Sequence, residues 1–186
     1  MTVSIVGIGG STRPDSQSGR ALRLVLAGAE QAGAKVSAIT GADLELPFYD
    51  PSIAERPAAA ASMIELLRAA DGVVFVSPGY HGTVSGLVKN ALDYIEELRT
   101  DERPYLDGRA IGCVAVAAGW QASVNTLNAL RSIAHATRGW PTPLGAAVNS
   151  IEVGFDASGG CTDDRVAANL AMIGAQVTEF ATRRTA

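Results

Sequence analysis

The chain has almost no cysteine. Cys113 and Cys161 are its only two, far apart and not in a C-x-x-C arrangement. Neither a disulfide framework nor a cysteine zinc site is expected, and the setting reads as reduced and cytoplasmic. Cys113 lies inside an apolar run, where it reads as a small core residue. Basic clusters are missing too, and the net charge is −4, which argues against nucleic acid or an anionic membrane as a partner. No stretch approaches the ~20 apolar residues of a membrane span. The first apolar run is short and breaks at glycines, so a signal peptide is not expected. There is no Walker A pattern and no G-x-S-x-G elbow, and His81 and His135 lack the spacing of nucleophile partners. Hydrolytic chemistry therefore finds no support.

What is present is 186 residues, 47% hydrophobic and only 18% charged. That suits one domain, expected over 1–186, with a substantial core. Its focus is Gly9-Gly10-Ser11-Thr12-Arg13-Pro14-Asp15-Ser16-Gln17-Ser18-Gly19, between the apolar run Val3–Ile8 and an alanine- and leucine-rich segment. The stretch supplies the hydroxyls of Ser11, Thr12, Ser16 and Ser18, the Arg13 guanidinium and the free amides of a helix start. A phosphate needs this set: donors converging on its oxygens, partial positive charge, and bidentate pairing. The same residue types also crowd at ordinary helix caps.

Along the rest of the chain, strands and helices alternate. Leu22, Val25, Leu26 and Ala29 form the stripe of a helix over 20–33, and a second strand follows at Lys35–Ile39. Residues 41–56 read as a loop, and Pro57 opens a helix with Met63, Leu66, Leu67 and Ala70 on one side. Val73–Ser77 is a β-branched and aromatic run closed by Ser77, suited to a strand covered on both faces. A loop over Pro78–Thr83 leads to a helix with Val84, Leu87, Val88, Ala91, Leu92, Ile95 and Leu98 along one face, and 96–107 reads as a surface excursion. Ala110–Ala118 is the fourth strand, and Val124, Leu127, Leu130 and Ala134 mark the next helix. Pro143–Val148 is a weaker fifth strand, 151–160 a loop, and Thr162 the cap of a last helix striped by Val166, Leu170, Ile173, Val177 and Phe180.

Five strand-then-helix units with right-handed crossovers imply a three-layer α/β sandwich around a parallel sheet, most commonly in the order 2-1-3-4-5. Ligands in such sheets lie beyond the carboxyl ends of the strands, between the first and third. The 11–18 and 78–83 loops fall there together. Gly7-Ile8-Gly9-Gly10-Ser11-Thr12 misses a dinucleotide fingerprint at its sixth position and offers side-chain donors in place of bare backbone, so a monophosphate is the better match. Tyr80, in a glycine-flanked loop, fits either a flat stacked ligand or a packing contact. Gly119-Trp120, after the fourth strand, reads as a second apolar wall or as local packing.

Gly10-Ser11-Thr12-Arg13 with Ser16 and Ser18, joined to Pro78-Gly79-Tyr80-His81-Gly82-Thr83-Val84-Ser85-Gly86-Leu87-Val88-Lys89-Asn90-Ala91-Leu92-Asp93, resembles the NADPH-dependent FMN reductase family of flavodoxin-like proteins. The resemblance implies that Ser11, Arg13, Ser16 and Ser18, with Thr12 between them, hold the FMN phosphate. Pro78, Gly79, Tyr80, His81 and Gly82 line the isoalloxazine, and Gly119 and Trp120 sit in the third flavin loop. It further implies hydride transfer from NADPH or NADH to flavin, no metal, and a homodimer or homotetramer; the apolar stripe of the helix over 84–98 fits either an interface between copies or packing on the chain's own sheet. Reduced flavin passes to a partner monooxygenase, or electrons pass to a quinone, azo dye or chromate; a non-enzymatic electron carrier is the rival reading. Ser18 and His81 stand where the family often has Asn, and the third loop has fewer glycines than usual.

Overall fold

Strands that are apolar at every position need cover on both faces. In the computed structural model, which describes residues 2–156 and 159–185, they have it. β3 (Gly72–Tyr80) and β5 (Ala110–Ala117) form the centre of a parallel sheet. β1 (Ser4–Gly9) and β2 (Lys35–Ile39) extend it on one side, in the order β2-β1-β3-β5. Against one face pack α1 (Gln17–Gln31) and α5 (Asp164–Thr185), burying Leu22, Val25, Leu26, Ala29, Leu170, Ile173 and Val177. Against the other pack α2 (Ala58–Ala69), α3 (Gly86–Asp93) and α4 (Trp120–Ala136). This is the expected flavodoxin-like sandwich. Cys113 is buried in it, and burial pushes its thiol up to about 12.

The sheet departs from five simple strands in two places. The fifth strand is split into β6 (Trp140–Pro141) and β7 (Ala146–Asn149), both paired with β5. Between them Pro143 has no N–H to give the ladder, and Thr142 bonds Leu144 O at 2.7 Å in a local turn. β3 also runs on through Tyr80 and folds back as β4 (Thr83–Val84), an antiparallel addition. Pro78, Gly79 and Tyr80 are therefore strand residues where a loop was expected.

Helix boundaries shift for local reasons. α1 starts at Gln17, not Arg20, because Ser16 has the extended backbone of a cap and its Oγ accepts the Gly19 N–H at 3.1 Å. Ser18 thus lies in the first helical turn. The helix expected over 84–98 is α3 followed by a 3-10 segment, Tyr94–Leu98, with Ser85 as cap. Its apolar stripe, Val88, Ala91, Leu92, Ile95 and Leu98, is buried in the domain's own core. α4 begins at Trp120, and its buried side is Ser123, Thr126, Leu130 and Ala134, leaving Val124 exposed. Asp163, not Thr162, caps α5, accepting the N–H groups of Arg165 and Val166 at 2.8 and 3.1 Å. Thr162 instead accepts from Gly154 N at 2.9 Å. Of the loop expected over 151–160, Ala157 and Ser158 lie outside the described residues.

The 41–56 loop is held by several side chains, Asn90 foremost. Asn90 accepts the Tyr49 N–H at 2.9 Å and donates to the carbonyls of Leu46 and Pro47 at 3.1 and 2.9 Å. Tyr49 O–H and Arg56 both donate to Glu97 Oε1, at 2.9 and 2.6 Å. The Arg56 bond holds the Glu97 carboxyl below its ordinary range, against the opposing effect of burial. Within 96–107, expected to be a surface excursion, Leu98 and Leu106 are buried.

Candidate functional site

The site begins where β1 ends. Gly9 has φ +145°, and a Cβ there would stand 1.8 Å from the Val76 carbonyl oxygen. Gly10 N donates to that same oxygen at 3.2 Å. Only glycine permits this approach, and it presses the β1–α1 turn against β3. The chain then emerges into solvent over 12–15 and returns at Ser16. Ser11 Oγ accepts the Arg13 N–H at 3.3 Å, and Ser16 Oγ caps α1. Each hydroxyl proton stays available to an external acceptor.

The second wall is the β3–β4 hairpin. Its two-residue turn is His81-Gly82, with φ of +49° and +90°. Two positive φ values define the type I′ turn, whose twist matches the flanking strands. Histidine, like asparagine, tolerates this left-handed backbone. The turn thus explains a His at position 81 before any ligand contact is considered. The hairpin is tied down at its base, where Ser85 N donates to Ser77 Oγ at 3.0 Å, and on its flank, where Thr126 Oγ1 donates to Thr83 O at 3.1 Å. Tyr80 is 53% exposed beside the turn.

The third wall comes from the ends of β5 and β7. Asn149, buried, accepts the Gly119 N–H at 2.8 Å and the Ile151 N–H at 3.2 Å. It donates to Glu152 Oε1 at 2.7 Å, and the Trp120 indole N–H reaches the same oxygen at 2.8 Å. Beyond it, Gln17 Oε1 accepts the Phe155 N–H at 2.9 Å, and buried Arg20 donates to the Phe155 carbonyl. The segment after β7 is thus fastened to α4 at one end and to α1 at the other.

These walls enclose a cavity of about 420 Å³. Ser11, Arg13, Ser16 and Ser18 line it on one side, and Pro78, Gly79, Tyr80 and His81 on the other. Thr12, Gly82 and Gly119 in the surrounding turns, and Trp120 at the start of α4, do not belong to the lining. Gln17 of the anion loop and Ala118 and Ala122 of the expected third loop also line it, and sequence reasoning missed Val116, Ala117 and Ser150, which complete it. The signal that would have found Ser150 is its place just past the carboxyl end of a strand. No carboxylate lines the cavity, and Arg13 makes no ion pair among the described residues. Among those residues no cluster of His, Cys, Asp or Glu could hold a metal ion, and no helix is long and apolar enough to cross a membrane. A second cavity of about 410 Å³, beside Trp140 and Phe180 at the start of β5, has only Glu179 and Arg183 for charge, and these pair with each other at 2.5 Å.

Residues 3–152 match the model of the family described as NADPH-dependent FMN reductase. The chain belongs to the NADPH-dependent FMN reductase family. An NADPH azoreductase from Bacillus sp. (strain OY1-2) is 35% identical over 89 residues, 47% of each chain. A quinone reductase from Escherichia coli (strain K12) is 33% identical over 99 residues, 52% of each. The chain spans about half the length of these curated relatives. The solved structure of FerB, a flavoenzyme NAD(P)H:(acceptor) oxidoreductase from Paracoccus denitrificans, superposes with a TM-score of 0.80 over 98% of this chain and 99% of that one. At 18% identity that similarity speaks for the fold alone.

Proposed function

We propose that this member of the FMN reductase family is an NAD(P)H-dependent FMN oxidoreductase whose cavity holds FMN. The observation that carries the reading is one cavity with two chemically distinct ends. One end joins the α1 N-terminus to Ser11, Ser16, Ser18 and Arg13, which suits a dianionic phosphate. The other, between the Pro78–Tyr80 strand and the Ala117–Ala118 turn, offers small and flat surfaces that suit a planar ring. The absence of a carboxylate from the lining fits an anionic guest.

In this reading Arg13 pairs with the phosphate, and the Ser11, Thr12, Ser16 and Ser18 hydroxyls donate to it. Tyr80 packs near the isoalloxazine, which Pro78, Gly79, His81 and Gly82 border, and Gly119 and Trp120 carry the third loop. Bound FMN supplies the hydride-accepting N5, and a nicotinamide ring stacks on its open face. The protein's own task is to bind, orient and exclude water. Hydride transfer asks for no side-chain acid or base, and none is paired in the cavity.

Family membership supports the reductase over a pure electron carrier. The acceptor class splits the reading further: release of reduced flavin to a partner monooxygenase, or electron delivery to a quinone, azo dye or chromate. The relatives named azoreductase and quinone reductase favour the second branch. A cytoplasmic homodimer or homotetramer completes the proposal, and light scattering on the purified protein decides the assembly. The deciding experiment follows NADPH and NADH oxidation by flavin-loaded, desalted protein, with and without added FMN or a quinone. Turnover requiring free FMN assigns the flavin-reductase branch, and quinone turnover on retained flavin assigns the other. No NAD(P)H oxidation in either case refutes the proposal.

A further inference from the structure

Trp120 raises a question that the cavity itself does not answer. It sits between Ala118 and Ala122, both of which line the cavity, yet its own indole is absent from the lining and 52% exposed. An exposed indole would ordinarily sample several rotamers. This one is held: its N–H donates to Glu152 Oε1 at 2.8 Å, and the same oxygen takes the Asn149 side-chain N–H at 2.7 Å. Asn149 is in turn fixed by the backbone amides of Gly119 and Ile151. Glu152 therefore links a buried junction to an exposed aromatic ring. Val124, one turn further along α4, and Ile151, next to Glu152 in the chain, are exposed apolar side chains as well.

We propose that Glu152 is a positioning residue which, through Trp120, builds the outer wall of a second subsite for the flat, uncharged ring that exchanges electrons with the cavity's occupant, a nicotinamide or a quinone. The inference rests on the cavity holding flavin. A ring stacked on the flavin lies outside the flavin's own lining and so meets the rim. Trp120 is placed and held for that contact, and its indole offers a large apolar face against which a flat ring can stack. Fixing the wall before the ring arrives lowers the ordering cost of binding.

The test uses a Trp140→Phe background, leaving Trp120 as the one tryptophan; Trp140 lies at the opposite end of the sheet, paired with Ala110. In the flavin-free protein, Glu152→Ala releases the indole, and its fluorescence anisotropy falls. Glu152→Gln retains an acceptor oxygen and restores the higher value. In the flavin-loaded protein, Glu152→Ala raises the KM for the ring-bearing substrate by about tenfold while the FMN Kd moves less than about twofold, as expected for losing roughly 1.4 kcal/mol of contact in one subsite only. Glu152→Gln recovers that KM as well. A rise for NAD(P)H alone assigns the wall to nicotinamide, and a rise for quinone alone to the acceptor. Unchanged anisotropy in Glu152→Ala overturns the anchoring, and an unchanged KM for both substrates overturns the subsite. If wild-type protein binds no FMN, the functional reading fails and the subsite falls with it, while the anisotropy result still decides whether Glu152 holds Trp120.

Discussion

Arg13→Ala separates binding from folding at the anion loop. The guanidinium is exposed and makes no ion pair among the described residues, so its loss should leave stability within about 0.5 kcal/mol of wild type. Toward a bound phosphate it would make charge-assisted hydrogen bonds, worth roughly 1.5–3 kcal/mol. Exposure places it at the lower end, about 1.5–2 kcal/mol, which is roughly a 10- to 30-fold rise in the FMN Kd. The assay is quenching of flavin fluorescence on titration, run at low and at high salt; screening should shrink the gap between variant and wild type. Ser16→Ala gives the contrast. Its Oγ is both a phosphate donor and the α1 cap, so this variant should lose about 1 kcal/mol of stability together with affinity. An Arg13→Ala variant that binds FMN as tightly as wild type at low salt would refute the assignment of the loop.

Gly9→Ala should cost about 3 kcal/mol or more and show as a lowered urea midpoint, because a Cβ would stand 1.8 Å from Val76 O on a backbone at φ +145°. Asn90→Ala leaves the Tyr49 N–H and the Leu46 carbonyl without their partner, while the Pro47 carbonyl keeps the Tyr94 O–H at 3.0 Å, at about 2 kcal/mol; amide exchange should accelerate at Tyr49 while β1 stays protected. Cys113 sets an alkaline limit. Its thiol is raised by burial from 9.0 to about 12, so the neutral form is favoured in the fold, and the stability this gives is complete below pH 9 and lost as pH rises toward 12. Wild type should therefore lose up to about 1.4 kcal/mol per pH unit more than Cys113→Ala across that window; parallel pH profiles of the two would contradict this.

The alternation of strands and helices was readable because its signals are local. Val73–Val76 and Ala110–Ala117 carry no polar side chain, and the stripes of α1 and α5 repeat at helical spacing. The anion loop was readable because its donors are contiguous. The extension of β3 was not, since Pro78-Gly79 reads as the end of a strand; here Pro78 pairs in parallel register with Val116. The split of the fifth strand depends on what Pro143 and Gly145 do against β5, which no single-segment pattern encodes. The third wall was legible only in part. Gly119-Trp120 marked its place after the fourth strand, but Ala117 carries no chemical signal, and the partner that holds Trp120 lies 32 residues away. Of the expected α4 stripe, Leu130 and Ala134 are buried and Leu127 packs against the core, but Val124 is exposed because the polar Ser123 and Thr126 take the sheet-facing positions of the first turns.

The central claim is that one cavity grips a flavin by its phosphate at the 11–18 loop and by its ring at the Pro78–Tyr80 strand. Parallel titrations of the purified protein with FMN and with riboflavin, which shares the ring and lacks the phosphate, test it most directly. The account predicts that FMN binds at least about 100-fold more tightly, from several charge-assisted donors at about 1.5 kcal/mol or more each, and that this preference drops in Arg13→Ala. Equal affinity for the two flavins, or no binding of either, would contradict it.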